Sequence, residues 1–368
     1  MTRPGPPGRE AAPQGAGRPL SVIQMVRSDG FAGVERYICQ VANALVSRGL
    51  RVVVIGGDPD RMRSELDEGI DHVPASTVGQ AVRALLGRRD TDIVHAHMTA
   101  AEIAAWLAHP VLRVPIVATR HFAAERGSNG PTRLVARMVS RSISLDIAIS
   151  EFVATTIEGP SVLLPNGVPD RDQAPLDSST VVMLQRLRAE KAPEVGVRAW
   201  AESGLASEGW RLVIAGVGDL RAALGDRARL LGVAATVEFA GQVADTDRLL
   251  DGSSILLAPA PAEPFGLSVV EAMAHGVPVV AAGGGAHVET IGNDGLLFPP
   301  GDASAAARCL GELAGSRSRR LEIGTALRRR QQQLFSLHDH VVRLEQIYRQ
   351  VIAGAGPERP ASPRPAGR

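Results

Sequence analysis

The run Ser254-Ile255-Leu256-Leu257-Ala258-Pro259 carries no polar alternation. A strand with water on one face alternates apolar and polar residues, so a short continuous apolar run reads as a parallel strand covered on both faces. Parallel strands need crossover helices, and the run therefore predicts an α/β fold. It leads into Glu263-Pro264-Phe265-Gly266-Leu267-Ser268-Val269-Val270-Glu271, where a helical pattern begins after Gly266 and closes at Gly276. Glu263 then lies on a strand-to-helix loop, with Glu271 roughly two turns further on. A helix starting there directs free backbone N–H groups and its positive dipole end into the crevice, a natural seat for phosphate. Carboxylates flank that seat on both sides, and carboxylates accept hydrogen bonds from sugar hydroxyls. A solvated loop glutamate plus a helix salt-bridge partner would produce the same spacing, but the apolar Pro-Phe-Gly-Leu-Ser-Val-Val between them argues against it.

The pattern recurs along the chain. Pro19 to Val26 reads as a strand, Ser28-Asp29-Gly30-Phe31-Ala32-Gly33 as a loop, Val34 to about Arg48 as an amphipathic helix closed by Gly49, and Arg51 to Ile55 as the next strand. Strand, glycine-bearing loop, helix and strand open a doubly wound domain, although the dinucleotide spacing G-x-G-x-x-G is absent. Further strands are expected at Asp92–His97, Pro115–Thr119, Leu145–Ile149, Val162–Leu164, Val181–Leu184, Arg211–Ala215 and Pro278–Ala281. The length of 368 residues suggests two domains. The expected division is a disordered Pro/Gly/Arg tail at 1–18, a first domain at 19–169 and a linker at 170–179. A second domain follows at 180–335, then a helix at 336–353 that could pack back on the first domain, and a second disordered tail at 354–368.

The formal net charge of +1 implies no global pull toward nucleic acid. Cys39 and Cys309 have no metal-ligand spacing and read as small buried hydrophobes of a reduced, cytoplasmic protein. No apolar run approaches the length of a membrane span. Arginine and lysine together number 40, of which one, Lys191, is lysine. Arginine serves as well at a generic surface site, so the position that keeps an ammonium group is a candidate for chemistry.

Several segments, in order, resemble retaining glycosyltransferases of the GT-B type, family 4 (the group 1 kind). The stretch Glu263 to Glu271 resembles their E-x7-E signature. Gln185-Arg186-Leu187-Arg188-Ala189-Glu190-Lys191 resembles their G-R-L-x-x-E-K segment, with Gln185 replacing the glycine and the chain's one lysine on the motif's lysine. Ala32-Gly33 resembles the glycine pair of the first loop, with Ala32 a departure. Thr119-Arg120-His121-Phe122 and Pro165-Asn166-Gly167-Val168 fit the end of the strand Pro115–Thr119 and a turn closing the first domain.

The resemblance implies two Rossmann-like domains facing across a cleft, the first for an acceptor and the second for a nucleotide-sugar, most readily a UDP-sugar. It implies transfer with retention and no cofactor or metal. The expected catalytic residues are His121, Arg186, Lys191 and Glu263: the two cations on the diphosphate, Glu263 on the sugar, His121 reaching the sugar near its reacting carbon. Gly33, Gly216, Val243, Phe265, Gly266, Leu267 and Glu271 are expected around the donor, Glu271 at the ribose and Gly241 to Val243 at the base. The alternatives are a GT-B phosphorylase, a sugar-nucleotide epimerase, or a catalytically idle binding or scaffold subunit, which would be free to lose Arg186, Lys191, Glu263 and Glu271.

Two features lie outside this set. His95 and His97 share one face of a strand; they could be a metal pair, but no third ligand follows at useful spacing, and the reading favoured is a strand end lining the acceptor cleft. Arg133, Arg137 and Arg141 recur every four residues beside Leu134, Val135, Met138 and Val139. Such a helix either rests on the inner face of an anionic membrane, grips a phosphorylated acceptor, or is a solvated helix over the core.

Overall fold

The computed structural model of the chain describes residues 18–123 and 130–354. Apart from Arg18 and Gly354, the two expected tails lie outside the described residues, as does the side chain of Arg133.

The first sheet has seven parallel strands: β1 (Ser21–Val26), β2 (Arg51–Ile55), β3 (Asp71–Val73), β4 (Ile93–His97), β5 (Ile116–Arg120), β6 (Leu145–Ala148) and β7 (Ser161–Leu163). Their spatial order is β3-β2-β1-β4-β5-β6-β7. The second sheet has six: β8 (Thr180–Leu184), β9 (Arg211–Ala215), β10 (Val237–Gly241), β11 (Ile255–Ala258), β12 (Val279–Ala282) and β13 (Leu296–Phe298), ordered β10-β9-β8-β11-β12-β13. Both are doubly wound α/β sheets, and together they make the GT-B architecture. Strand order reverses at β1/β4 and at β8/β11, and beyond the carboxyl ends of those pairs the helices part and leave a crevice. The loops after β8 and β11 carry Lys191 and Glu263.

The continuous apolar strands are buried because helices cover both faces. In β1, Val22 and Val26 pack on one side with Ile38 and Leu45 of the helix Gly33–Ser47, while Ile23 and Met25 pack on the other with Ala101 and Ala105 of the helix Thr99–Leu112. Polar residues interrupt the first of these faces: Gln24, His95, His97 and Thr119 are buried on it.

The chain crosses between domains twice, and the crossings run side by side. The Val168 N–H donates to the Phe335 carbonyl at 2.8 Å, and the Leu337 N–H donates back to the Val168 carbonyl at 3.1 Å. After the second crossing the helix Leu337–Ile352 lies on the first domain, burying Val341, Leu344, Ile347 and Tyr348 in the cluster that holds Ile38 and Leu45. The segment after the first crossing is held down on the second domain. Ala174 and Leu176 are buried there, the Arg320 guanidinium donates to the Leu176 carbonyl, and Arg328 donates to that of Arg171.

Gly167 is where the crossings touch most closely. A Cβ there would stand 2.6 Å from the His340 Cβ and 2.7 Å from the Leu337 Cα. Those atoms belong to the packed start of the last helix and cannot rotate away. Gly167→Ala should lower stability by about 1–3 kcal/mol, the usual cost of overpacking, read as a lower urea midpoint; an unchanged midpoint would mean that the crossings separate freely.

Candidate active site

The loop after β8 is built to present Lys191. A short 3-10 turn, Ala189–Lys191, is followed by Ala192 at φ 43, a left-handed conformation costly for a residue with a Cβ, and then by Pro193 at the first position of the next helix. The loop's other flank rests on the turn after β9. Gly216 has φ 140, and a Cβ there would lie 1.9 Å from the Gln185 carbonyl oxygen; the Leu187 N–H donates to the Val217 carbonyl at 3.0 Å. Gly216 thus supports the lysine loop through its backbone.

The loop after β11 brings the opposite charge. Lys191 Nζ stands 2.5 Å from Glu263 Oε2, and their side chains are only 16% and 14% exposed. The Glu263 carbonyl accepts the Ala286 N–H at 2.7 Å, tying this loop to the glycine turn after β12. That turn also carries His287, buried, with its Nδ1 3.1 Å from the Ala282 carbonyl. A carbonyl only accepts, so Nδ1 bears the proton and Nε2 is free to accept. Burial holds the His287 pKa down, against an upward pull from Glu263. Gly266, at φ 88, has the His287 ring against it, 3.3 Å from its would-be Cβ to Nε2. The helix Leu267–Ala274 begins there, with its first N–H groups unpaired within the helix. Across the crevice Gly33 faces Leu267, whose Cδ1 would be 3.4 Å from a Cβ at that glycine. Lys191, Glu263, Gly266, Leu267, Gly33 and His287 thus form one cluster around a helix N-terminus. His287 escaped the sequence reading, its only signal being a histidine just after three glycines.

Glu271 belongs to a second cluster. With Arg36, Arg171, Thr246, Asp247 and His275 it lines a cavity of about 230 Å³ between the domains. Desolvation raises the Glu271 pKa, opposed by Arg36. Arg36 donates across the cleft to Thr246 Oγ1 at 2.7 Å, and Arg171 pairs with Asp247 at 2.9 Å. Gly241 ends β10 and accepts the Gly216 N–H at 2.7 Å; Val243, further along the same loop, is half-buried.

Phe265, Arg186 and the His95–His97 pair stand apart from these two clusters. The Phe265 side chain is buried in the second domain's core cluster against Phe335, ring centroids 5.8 Å apart. Arg186 does not accompany Lys191. It is half-exposed and pairs with Glu190 one turn away at 3.3 Å, because the loop's apolar contact is made by Leu187 and the neighbouring side chain is turned outward. His95 and His97 do not line a cleft: both are fully buried under the last helix.

His121 belongs to that same buried set. It is 7% exposed, its Nε2 lies 2.9 Å from His97 Nδ1, and the Tyr37 ring meets it edge-on at 5.6 Å. The structure therefore ties His121 to the interior of the first domain as well as placing it at the carboxyl end of β5. In the basic helix Gly130–Ser142, Val139 is buried and Val135 packs on the first-domain core, while Leu134 and Met138 are exposed together with Arg137 and Arg141. The four apolar residues beside the arginines are thus divided between core and surface.

Comparison with known proteins bears on the family and the fold. Residues 31–171 match the profile described as Glycosyltransferase Family 4, and residues 178–316 match that of Glycosyl transferases group 1, one for each domain. The chain belongs to this glycosyltransferase family. It is 28% identical over 311 residues to a D-inositol 3-phosphate glycosyltransferase of Mycobacterium bovis, covering 68% of this chain and 64% of that one. It is 34% identical over 158 residues to an exopolysaccharide phosphotransferase of Streptomyces coelicolor, covering 41% of this chain and 17% of the relative. In both cases the chain spans less than two thirds of the relative's length. Among solved structures, HepE of Anabaena in complex with UDP and glucose superposes with a TM-score of 0.77 at 19% identity, covering 89% of this chain and 98% of that one. Sucrose-phosphate synthase of Thermosynechococcus elongatus gives 0.72 at 21% identity, with 91% and 100% covered.

The buried histidines have a consequence for stability. Burial lowers the pKa of His121 to about 3 and that of His340 to about 4, from an ordinary 6.5. The unfolded chain binds protons below the ordinary value while the folded chain does not. Their contribution is therefore complete above that value and declines as pH falls toward the folded pKa. Each adds a slope of about 1.4 kcal/mol per pH unit. The melting temperature should drop steadily as pH falls below about 6.5, and less steeply in His340→Gln; identical slopes would show that His340 does not stay neutral.

Proposed function

We propose that the chain is a retaining glycosyltransferase that moves a hexose from a UDP-sugar to an acceptor hydroxyl without a metal ion. The observation that carries this reading is the Lys191–Glu263 pair at the unpaired N–H groups of the helix starting at Leu267. In the donor-free chain the ammonium and the carboxylate satisfy each other. A bound nucleotide-sugar would separate them, its diphosphate taking Lys191 and the helix N-terminus and a sugar hydroxyl taking Glu263. As the sugar–phosphate bond breaks, negative charge grows on the leaving diphosphate, and a cation already in place stabilises it more than the ground state. Arg186, directed outward, carries little of that load in this state.

The nucleoside would extend toward Glu271, whose cavity adjoins the loop that follows Gly241. The UDP and UDP-glucose complexes of HepE support a uridine donor. Retention is read as front-face attack: the acceptor hydroxyl enters on the leaving group's side and passes its proton to the departing phosphate, so that no side-chain base is required. A product of inverted anomeric configuration would exclude that route.

Binding tests the reading without knowledge of the acceptor. UDP at a hundredfold excess over its dissociation constant should stabilise the fold by roughly 2.7 kcal/mol, equally with and without EDTA, and Lys191→Ala should abolish the shift. Turnover in that variant should fall on the order of a hundredfold. A UDP shift that persists in Lys191→Ala would remove the lysine from the site, and a shift that requires a metal would overturn the metal-free reading.

A second feature favours work at a membrane surface. Leu134 is 63% exposed on the same helix as the exposed Arg137 and Arg141, an apolar and basic combination suited to anionic lipid. Replacing Leu134, Arg137, Met138 and Arg141 by Ser should reduce flotation with anionic liposomes severalfold; unaltered recovery would leave the helix a solvated cover of the core.

A further inference from the structure

Beneath the first domain's crevice a single file of hydrogen bonds runs from the last helix to His121. Gln24 Nε2 donates to the Tyr348 hydroxyl at 2.8 Å, and that hydroxyl lies 2.6 Å from His95 Nδ1, whose Nε2 lies 2.7 Å from Thr119 Oγ1. In the other direction Gln24 Oε1 lies 2.7 Å from His97 Nε2, and His97 Nδ1 lies 2.9 Å from His121 Nε2. Gln24, His95, His97, His121 and Tyr348 are all buried, so these contacts are not exchanged for water.

The hydroxyls and the neutral imidazoles can each donate or accept, so the orientation of the Gln24 amide, with Nε2 toward Tyr348 and Oε1 toward His97, sets direction along the whole file. The Tyr348 oxygen accepts from Gln24 and spends its proton on His95 Nδ1. The Gln24 carbonyl oxygen can only accept, so His97 carries its proton on Nε2. His97 Nδ1 is then a lone pair, and the proton facing it must sit on His121 Nε2. Both imidazoles stay neutral, since burial holds their pKa values down. A separate branch holds the ring at its edge. His340 Nδ1 lies 2.7 Å from the Pro165 carbonyl, so its Nε2 accepts the Tyr37 hydroxyl at 2.8 Å, and Tyr37 presses its ring against His97 and His121.

We propose that Gln24 and Tyr348 are positioning residues that fix the tautomer of His121, leaving its Nδ1 as a lone pair able to accept a hydroxyl proton from the donor sugar. The use of that lone pair rests on the glycosyl-transfer reading; the wiring does not. Two residues buried beneath the crevice would then act on it, one of them on the helix that the chain sends back from the second domain.

The test is the position of the His121 ring proton, read by long-range proton–nitrogen NMR on histidine-labelled protein. The wild type should show it on Nε2. Tyr348→Phe removes the partner that orients the Gln24 amide, so the amide can turn over and the His121 proton should move, wholly or in part, to Nδ1. Sugar-nucleotide cleavage should fall about tenfold, as for one misdirected hydrogen bond, with KM for the donor little changed. Gln24→Met cuts the file on the other side of Tyr348 and should do the same, which covers the case where one variant fails to fold. A wild-type proton on Nδ1, a proton unmoved in both variants, or a moved proton with unaltered turnover would each overturn the proposal. A moved proton in a protein that cleaves no sugar nucleotide would leave the wiring intact and remove the glycosyl-transfer reading instead.

Discussion

Lys191 and Glu263 hold opposite charges 2.5 Å apart with little of either side chain in water. Removing two charges from solvent costs several kcal/mol per ion, and their mutual attraction rarely returns more than that, so such a pair is seldom present for stability alone. The surrounding fold is spent on keeping it in place. Ala192 accepts a left-handed backbone, Gly216 presses on the Gln185 carbonyl, and the glycine turn after β12 grips the Glu263 backbone. Each is a local sacrifice that brings two strand-end loops of one sheet to the same helix N-terminus. A pair of this kind is poised to open, because each partner can be satisfied by a ligand bearing both an anion and hydroxyls.

The two domains are held across the crevice by polar contacts as well as by the hinge. Arg36 reaches Thr246, the Ser150 hydroxyl donates to the Pro264 carbonyl at 2.6 Å, and the Glu289 carboxylate accepts the N–H groups of Glu151 and Phe152. Beside these directional bonds, Ile149 and Val153 of the first domain are buried in the second domain's apolar cluster. The paired crossings at Val168 and Phe335, by contrast, are buried backbone.

Much of the site could be read from residue order because its logic is local. A glutamate just before a helix and another two turns into it are specified by the pattern around Gly266 alone, and the chain's single lysine marked itself by composition. A motif fixes backbone position and not the direction of a long exposed side chain, and Arg186 is turned toward Glu190. An aromatic beside a seat for ligand looks the same in sequence as one beneath it, and the Phe265 ring packs on Phe335.

The sequence by itself determined that both halves are parallel α/β units, since strands too apolar to face water must be covered on both sides, and it placed the helix starts beside Gly33 and after Gly266. Only the tertiary structure decided which polar groups meet. Gln24, His95 and His97 are visible as interruptions in apolar strands, but their partner Tyr348 lies 324 residues from Gln24. Nothing in a strand's own period says that a helix from the far end of the chain will return to cover it. Contacts set by chain reversal and strand order are non-local, and burial turns them into fixed hydrogen bonds only once the sheet is assembled.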